Sequence, residues 1–221
     1  MHVPDGFVGG WLNGATYACS AAACGVAAWR AGKTLGERQV PLLGMTAAFV
    51  FAAQMLNFPV AGGTSGHFLG ATLAAILLGP LNAILVMAVV LVIQCLGYAD
   101  GGLTALGTNI LNMGVAPALV YVTAFSALRR LAGGGRGALF AATAVTAWLS
   151  VVAASALCSL ELAVSGTVPL AIALPSMAFY HVFIGAGEAV ITCGVLSVVF
   201  SARPDLVAAW RAEPALEGSG I

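Results

Sequence analysis

Charged side chains are scarce in this sequence. Asp, Glu, Lys and Arg make up 7% of the residues, whereas 61% are hydrophobic. Soluble domains carry about 25% charged residues, so this scarcity excludes an ordinary soluble domain and predicts a chain embedded in a bilayer. The net charge of zero also leaves no electrostatic basis for binding nucleic acid.

Paired cysteine motifs and a basic leader are missing as well. The five cysteines lie singly within apolar stretches, with no CxxC pair among them. We therefore expect the cysteines to be small side chains buried among apolar residues, and we assign them no role in disulfides or metal binding. No basic stretch precedes the first apolar run, so we expect no cleavable signal peptide.

The few basic residues indicate the topology. They occur in three places: Arg30, Lys33 and Arg38; Arg129, Arg130 and Arg136; and Arg203 with Arg211. The positive-inside rule makes all three places cytoplasmic. Seven apolar runs cover about 8–29, 41–57, 68–79, 81–96, 109–128, 138–160 and 176–202. The sequence predicts an all-α membrane bundle of seven transmembrane helices, with the amino terminus outside and the carboxyl terminus cytoplasmic. Residues 1–203 would form one domain, and residues 204–221 a short cytoplasmic tail.

One boundary in this topology has two interpretations. Residues 68–79 and 81–96 could form a single helix kinked at Pro80, but six crossings would then put the first two basic clusters on opposite sides. Gly79-Pro80 is also typical of a tight turn between helices, and we favour that hairpin. Residues 68–79 would span only about 18 Å as a helix. That helix must extend into the preceding loop or begin below the membrane surface.

The first two residues, Met1 and His2, can bind a metal. A free α-amine, the next backbone nitrogen and an imidazole at position 2 can wrap one ion in fused chelate rings. Nitrogen donors suit late first-row divalent ions, from cobalt to copper, better than calcium or magnesium. A bulky second residue disfavours removal of the initiator Met, so we expect the amine to remain that of Met1. Taken alone, however, a Met-His start usually has no function.

A fourth nitrogen donor is available at His67. The stretch Gly62-Gly63-Thr64-Ser65-Gly66-His67 is expected to be a flexible loop that leads into a helix, because glycines let a backbone fold tightly. The His67 imidazole would close a near-planar set of four nitrogens. That geometry fits Ni(II), Cu(II) and low-spin Co(II).

The predicted topology puts all three histidines on the outer side, which carries no Lys or Arg. Acidic residues lie there too: Asp5, Asp100 and Glu161. Negative charge on this side favours the approach of a cation.

Amide side chains lie just below the outer surface. They are Gln54, Asn57, Gln94, Asn109 and Asn112. Within a bilayer such groups commonly join helices, but they could equally hold loops and ring nitrogens around a metal. Candidates for this supporting role are Gln54, Asn57, Ser65, Asn109, Asn112 and His181. Glu188, the one carboxylate within a span, is either functional or a structural hydrogen-bond acceptor.

Four groups of residues carry a family resemblance. They are Met1-His2-Val3-Pro4-Asp5-Gly6; Gln54-Met55-Leu56-Asn57-Phe58-Pro59 with Gly63-Thr64-Ser65-Gly66-His67; Asp100-Gly101-Gly102 with Leu106-Gly107-Thr108-Asn109 and Asn112-Met113; and His181 with Gly187-Glu188-Ala189. With them, the sequence resembles the substrate-binding membrane component of cobalt/nickel energy-coupling-factor transporters, the CbiM/NikM family. The similarity runs from residue 1 to about residue 200.

The resemblance implies a metal-capture subunit in the cytoplasmic membrane. The ion, Co²⁺ or alternatively Ni²⁺, would be a substrate held by the Met1 amine, both nitrogens of His2 and the His67 imidazole; the chain would have no cofactor of its own. The implied partners are a transmembrane coupling protein, cytoplasmic ATPase subunits and a small two-helix accessory membrane protein. Cobalt members usually serve cobalamin biosynthesis.

Other functions fit fewer residues. Residues 27–34 loosely match a phosphate-binding loop but lie at the inner end of a membrane helix, so we expect no ATPase site here. A rhomboid-like intramembrane serine protease would use Ser65 as nucleophile and His181 as base. That alternative leaves Met1, His2 and His67 unexplained. A proton-coupled transporter using Glu188 would need midplane ion pairs and broken-helix repeats, which are missing.

Overall fold

A computed structural model of the chain describes residues 1–37, 39–60 and 64–211. Its helices are α1 Gly10–Thr34, α2 Gln39–Gln54, α3 Ala71–Leu78, α4 Pro80–Tyr98, α5 Leu106–Ala132, α6 Arg136–Val164, α7 Leu170–Ala202 and the short α8 Ala208–Arg211, which follows a 3-10 turn at Pro204–Leu206. Strands β1 Phe58–Val60 and β2 Thr64–Gly66 pair antiparallel between α2 and α3. Arg38, Gly62 and Gly63, which the sequence analysis used, lie outside the described residues.

The helices confirm a membrane fold. Within the described residues, α4, α5, α6 and α7 are long and apolar enough to cross a bilayer, and α2 is a shorter apolar helix. The count of seven crossings and the outward amino terminus stay predictions.

The expected break before Pro80 is confirmed. Helix α3 ends at Leu78, and Gly79 takes φ +86°, which no helix can continue through. Helix α4 then begins with Pro80. Proline has no N–H group, and this is no disadvantage in the first turn, because N–H groups there have no partner within the helix. Helix α3 does not extend into the preceding loop. All eight of its residues are buried, so it is the central element of the bundle.

The segment before α3 differs from the sequence expectation. A flexible loop was predicted up to His67, but Thr64–Gly66 forms a strand in which Ser65 pairs with Pro59. The pairing fixes the backbone two residues before His67, and the chain from Gly66 to Gly70 is buried. Two short strands do not alter the all-α class of the bundle.

Helix α5 contains two turns of π-helix, Leu111–Val115 and Tyr121–Phe125. The first lies just before Pro117, where a residue without an N–H makes the regular hydrogen-bond ladder impossible. Such wide turns were not predicted from the sequence.

The chain after α7 returns to the core. Val207 and Ala209 are buried in the same apolar cluster as the side chains of α3. The first part of the predicted cytoplasmic tail therefore packs on the bundle, whereas residues 212–221 of that tail lie outside the described residues.

Helices α1 and α5 approach closely at Gly107. A Cβ atom there would lie 2.6 Å from the Cα atom of Tyr17, and Ser20 Oγ donates a hydrogen bond of 2.7 Å to the Gly107 carbonyl. We expect Gly107→Ala to destabilise the protein by about 1–3 kcal/mol, because backbone atoms cannot move aside as side chains do. The change is measured as the thermal unfolding midpoint in detergent.

Gly14→Ala is the matched control. Gly14 also lies in a helix, but no atom comes within 4 Å of an added Cβ. This variant should be neutral or more stable by up to about 1 kcal/mol, since Ala favours helix. Equal unfolding midpoints for the two variants would contradict the close approach at Gly107.

Candidate metal site

The first nine residues form an arm that enters the bundle ahead of α1. Met1 and Val3 are fully buried, and His2 is 4% exposed. The side chain of Asn109 clamps the Val3 backbone: its Oδ1 accepts from the Val3 N–H at 2.8 Å, and its Nδ2 donates to the Val3 carbonyl at 3.2 Å. The Gly102 N–H donates to the same carbonyl at 2.8 Å. These bonds fix the direction in which the first two residues point.

The loop between α4 and α5 fits against this arm without space for side chains. A Cβ at Gly102 would lie 2.2 Å from the Asp5 nitrogen, and one at Gly101 would lie 3.3 Å from Cδ2 of the His2 ring. Asp5 Oδ1 in turn accepts hydrogen bonds from the Thr104 N–H at 2.7 Å and from its hydroxyl at 2.6 Å. The two glycines therefore allow the loop to cover the arm.

Strand β2 receives the free end of the arm. The Met1 amine donates hydrogen bonds to the carbonyl of Ser65 and, at 3.1 Å, to its Oγ. The His2 N–H lies 3.3 Å from the same Oγ. Since His67 follows Ser65 by two residues, the strand brings the two backbone nitrogens close to the His67 imidazole.

The His2 imidazole presents one unpartnered nitrogen. Its Nε2 lies 3.0 Å from Oε1 of Gln94, a fully buried residue of α4. A carbonyl oxygen only accepts, so this contact assigns the ring hydrogen to Nε2 and the lone pair to Nδ1. Nδ1 lies 3.3 Å from Asp100 Oδ1 but has no hydrogen-bond partner. It is also the ring nitrogen that can close a six-membered chelate with the residue's own backbone nitrogen.

His67 presents a second unpartnered nitrogen. Its ring stacks on that of His2, with centroids 4.6 Å apart and planes 29° from parallel. Its Nδ1 bonds the Phe68 carbonyl at 2.7 Å, which leaves the lone pair on Nε2. That Nε2 is buried and has no hydrogen-bond partner among the described residues.

The turn after His67 is held from two sides. Glu188 of α7 accepts the N–H groups of Leu69 and Gly70 at 2.7 and 2.8 Å, and Gln54 Nε2 donates to the Leu69 carbonyl at 2.6 Å. Of the two roles considered for Glu188, the structure therefore shows the structural one. The carboxylate thus bonds the N–H groups of the two residues that precede α3, at the end of the helix where its dipole favours negative charge.

The candidate supporting residues divide into two groups. Ser65 and Asn109 contact the arm, Gln54 holds the turn after His67, and Asn57 Nδ2 donates to Asp100 Oδ2 at 3.1 Å. Asn112, by contrast, donates to Glu161 and does not contact the arm.

His181 makes no hydrogen bond to the arm or to His67 within the described residues. Its Nδ1 bonds the Met177 carbonyl at 2.7 Å, and its Nε2 is buried without a partner in that part of the chain.

Two residues were missed as supports of the site: Gln94 and Asp100. Both were noted from the sequence, Gln94 as an amide inside an apolar run and Asp100 as an outer acid. The two residues contact opposite sides of the His2 ring. These contacts form only when the arm docks into the bundle, and the spacing of residues in the sequence does not indicate how it docks.

Burial keeps the nitrogens of this site uncharged. It lowers the pKa of the Met1 amine from 8.0 to about 5 and that of the His2 imidazole from 6.5 to about 3. Burial likewise holds the pKa of His67 well below 6.5, and positive charge on the amine and on His2 would lower it further. At pH 7 all three groups are neutral and can donate lone pairs to a metal.

The serine-protease alternative finds no support in this geometry. The hydrogen-bond partners of Ser65 Oγ are the Met1 amine and the His2 N–H, whereas the His181 ring bonds its own helix. A nucleophile and its base need to be in hydrogen-bond contact. In the described part of the chain, no group of three or more His, Cys, Asp or Glu side chains could hold a metal, so a metal site here needs backbone nitrogens as well.

Known proteins share both the sequence and the fold. Residues 2–206 match the family described as CbiM, cobalt uptake substrate-specific transmembrane region. The chain is 34% identical over 233 residues to the fused nickel transport protein NikMN of Rhodobacter capsulatus, a match covering 98% of this chain and 67% of that protein. It is 35% identical over 170 residues to the cobalt transport protein CbiM of Sorangium cellulosum, covering 76% of each.

A solved structure has the same fold. A crystal structure of a truncated transition metal transporter superposes with a TM-score of 0.84 at 30% identity, over 91% of this chain and 99% of that one. The similar proteins are transport proteins and not enzymes. The chain therefore belongs to the CbiM family of cobalt uptake substrate-specific transmembrane proteins.

Proposed function

We propose that this protein captures Co²⁺, or alternatively Ni²⁺, outside the cell as the substrate-specific subunit of an energy-coupling-factor importer. The observation that carries the proposal is the meeting of the Met1 amine with the unpartnered nitrogens of His2 and His67 in one buried place. With the His2 backbone nitrogen they make four donors. The amine and the backbone nitrogen close a five-membered ring on the ion, and the backbone nitrogen and Nδ1 close a six-membered ring.

The choice of ion follows from the donors. Four nitrogens in a near-planar set suit Ni(II) and low-spin Co(II), and they offer nothing to ions that demand oxygen. Similar proteins carry both metals in their names, cobalt for CbiM and nickel for NikMN. Competition between Co²⁺ and Ni²⁺ for the purified, untagged protein would decide between the two.

The proposed topology has seven crossings, with the amino terminus outside. Helix α3 alone would span only about 12 Å. The buried chain from Gly66 to Gly70 continues its path, and non-helical backbone is tolerated at membrane depth where protein surrounds it. This orientation places the arm where the ion arrives and the basic clusters in the cytoplasm.

The proposed partners supply the energy. They are a transmembrane coupling protein, cytoplasmic ATPase subunits and a small two-helix accessory protein, in the cytoplasmic membrane. Imported cobalt would feed cobalamin biosynthesis. Because the donors are buried, release of the ion inward requires movement of the arm or of β2. Conformational work by the ATPase subunits would drive that movement.

His67→Ala tests the fourth donor. We expect metal affinity to fall by more than about a hundred-fold, since even residues that only orient a ligand are worth 10–100-fold. Isothermal calorimetry with Co²⁺ and Ni²⁺ measures the affinity. His181→Ala removes an equal imidazole from outside the donor set and should weaken binding less. A larger loss of metal affinity in His181→Ala than in His67→Ala would disprove the proposed set of donors.

A tag at the amino terminus tests the amine. Acylation of that nitrogen removes its lone pair as a ligand, and the buried position of Met1 leaves no path for added residues. We expect a short amino-terminal tag to abolish high-affinity binding, measured as metal content of the purified protein. The same tag at the carboxyl end is the control and should leave one ion per chain. A fully loaded amino-terminally tagged protein would exclude the amine.

The pH dependence tests the backbone nitrogen of His2. The lowered pKa values keep the amine and the imidazoles neutral. Protons therefore compete with the metal for these nitrogens only below about pH 5. The amide N–H must still be lost when the metal binds. Affinity should therefore rise about tenfold per pH unit between about pH 6 and 8. Competition with a chelator measures it, and a flat profile would exclude the amide nitrogen.

A further inference from the structure

A cavity of about 520 Å³ lies beside the arm, and the proposed function does not use it. Its wall includes His2, Ser65, Cys95, Asp100 and Gly101, and we call it the outer chamber. We propose that a divalent cation, still carrying its water, is held in this chamber by the Asp100 carboxylate before His2 takes it up. This inference rests on the proposed function and adds a second, weaker binding site on the path to the first.

The chamber adjoins the proposed metal position directly. His2 lines the chamber, and its side chain is 3% exposed. Its Nδ1 is buried and has no hydrogen-bond partner among the described residues. Asp100 Oδ1 lies 3.3 Å from that nitrogen. An ion bound at the carboxylate is thus one short step from the first nitrogen donor.

Asp100 is oriented for this task. Asn57 donates a hydrogen bond of 3.1 Å to its Oδ2, which leaves Oδ1 directed at His2. Asp100 remains 18% exposed in its side chain, so an ion in the chamber can reach it. The other acid on the wall is Asp5, whose Oδ1 accepts two hydrogen bonds from Thr104.

The charge and the size of the chamber suit a hydrated cation. No Lys or Arg occurs in the proposed outer segments, residues 1–7, 58–67, 97–108 and 161–175, so no basic side chain in them opposes the carboxylates. Six waters occupy roughly 180 Å³ at about 30 Å³ each, well within the volume of the chamber. Carboxylate and water oxygens bind many divalent ions, so the chamber attracts cations without choosing among them.

Asp100→Asn removes the charge and keeps the size of the side chain. We expect the association rate of Co²⁺ and Ni²⁺ to fall about tenfold at low ionic strength, with a smaller difference at high salt. The dissociation rate should change less than the association rate, and one ion per chain should still bind at saturation. Stopped-flow absorption of the metal complex in the purified protein measures both rates.

Asp205→Asn is the matched control. Asp205 is an exposed carboxylate paired with Arg203 after α7, away from the chamber, and its loss should leave both rates unchanged. If Asp100→Asn raises only the dissociation rate, the carboxylate merely positions His2 and the chamber site is overturned. If the unaltered protein binds no metal at all, it is the proposed function that fails.

Cys95 allows a second measurement that leaves Asp100 intact. A methanethiosulfonate carrying a trimethylammonium group forms a disulfide with the thiol, releases methanesulfinate and places a fixed positive charge in the chamber. We expect the modified protein to bind metal at least about tenfold more slowly. Cys95→Ala should be insensitive to the reagent, whereas Cys19→Ala, which removes an exposed thiol outside the chamber wall, should respond like the unaltered protein. Unchanged association after modification of Cys95 would exclude the chamber as the path.

Discussion

The proposed metal site depends on the α-amine of Met1, which is buried without its charge. A buried ammonium group is very costly, and desolvation therefore holds the Met1 amine in its neutral form. Its hydrogens bond the Ser65 carbonyl and hydroxyl, so the docked arm stays satisfied without an ion. The side chain of Asn109 then fixes the arm through the backbone of Val3. The donors are thus assembled by the docking of one segment and not by a cluster of side chains.

Each donor is held by a different part of the fold. Helix α5 clamps the arm, β2 receives the amine, α4 orients His2 through Gln94, and α7 holds the turn after His67 through Glu188. A planar metal complex tolerates little change in the distances among its donors. In the proposed importer, movement of any one of these elements against the others would weaken all the bonds to the metal together, so that partner proteins would have several points from which to release the ion.

Features that are local in sequence could be predicted, and contacts that depend on docking could not. The break before Pro80 follows from its own backbone and is confirmed. The chelate at Met1 and His2 needs only two neighbouring residues, so it could be proposed from the sequence, and it stays a prediction. The partners of the His2 ring come from α4 and from the loop after it, 92 and 98 residues further on. The strand at Ser65 was missed because its pairing with Pro59 outweighs the flexibility that its glycine neighbours suggest. Composition alone sufficed for the membrane class.

Two successive environments can separate ions better than either one alone. In the proposed path, oxygen at Asp100 admits any hydrated divalent cation, whereas transfer over the 3.3 Å to His2 requires loss of water in exchange for nitrogen. Magnesium dehydrates reluctantly and calcium demands oxygen ligands, so neither gains from this exchange. Zinc prefers a tetrahedron, which the fused rings oppose. Copper(II) binds such nitrogens at least as tightly as nickel, so discrimination against it must come from its scarcity as a free ion and not from the site.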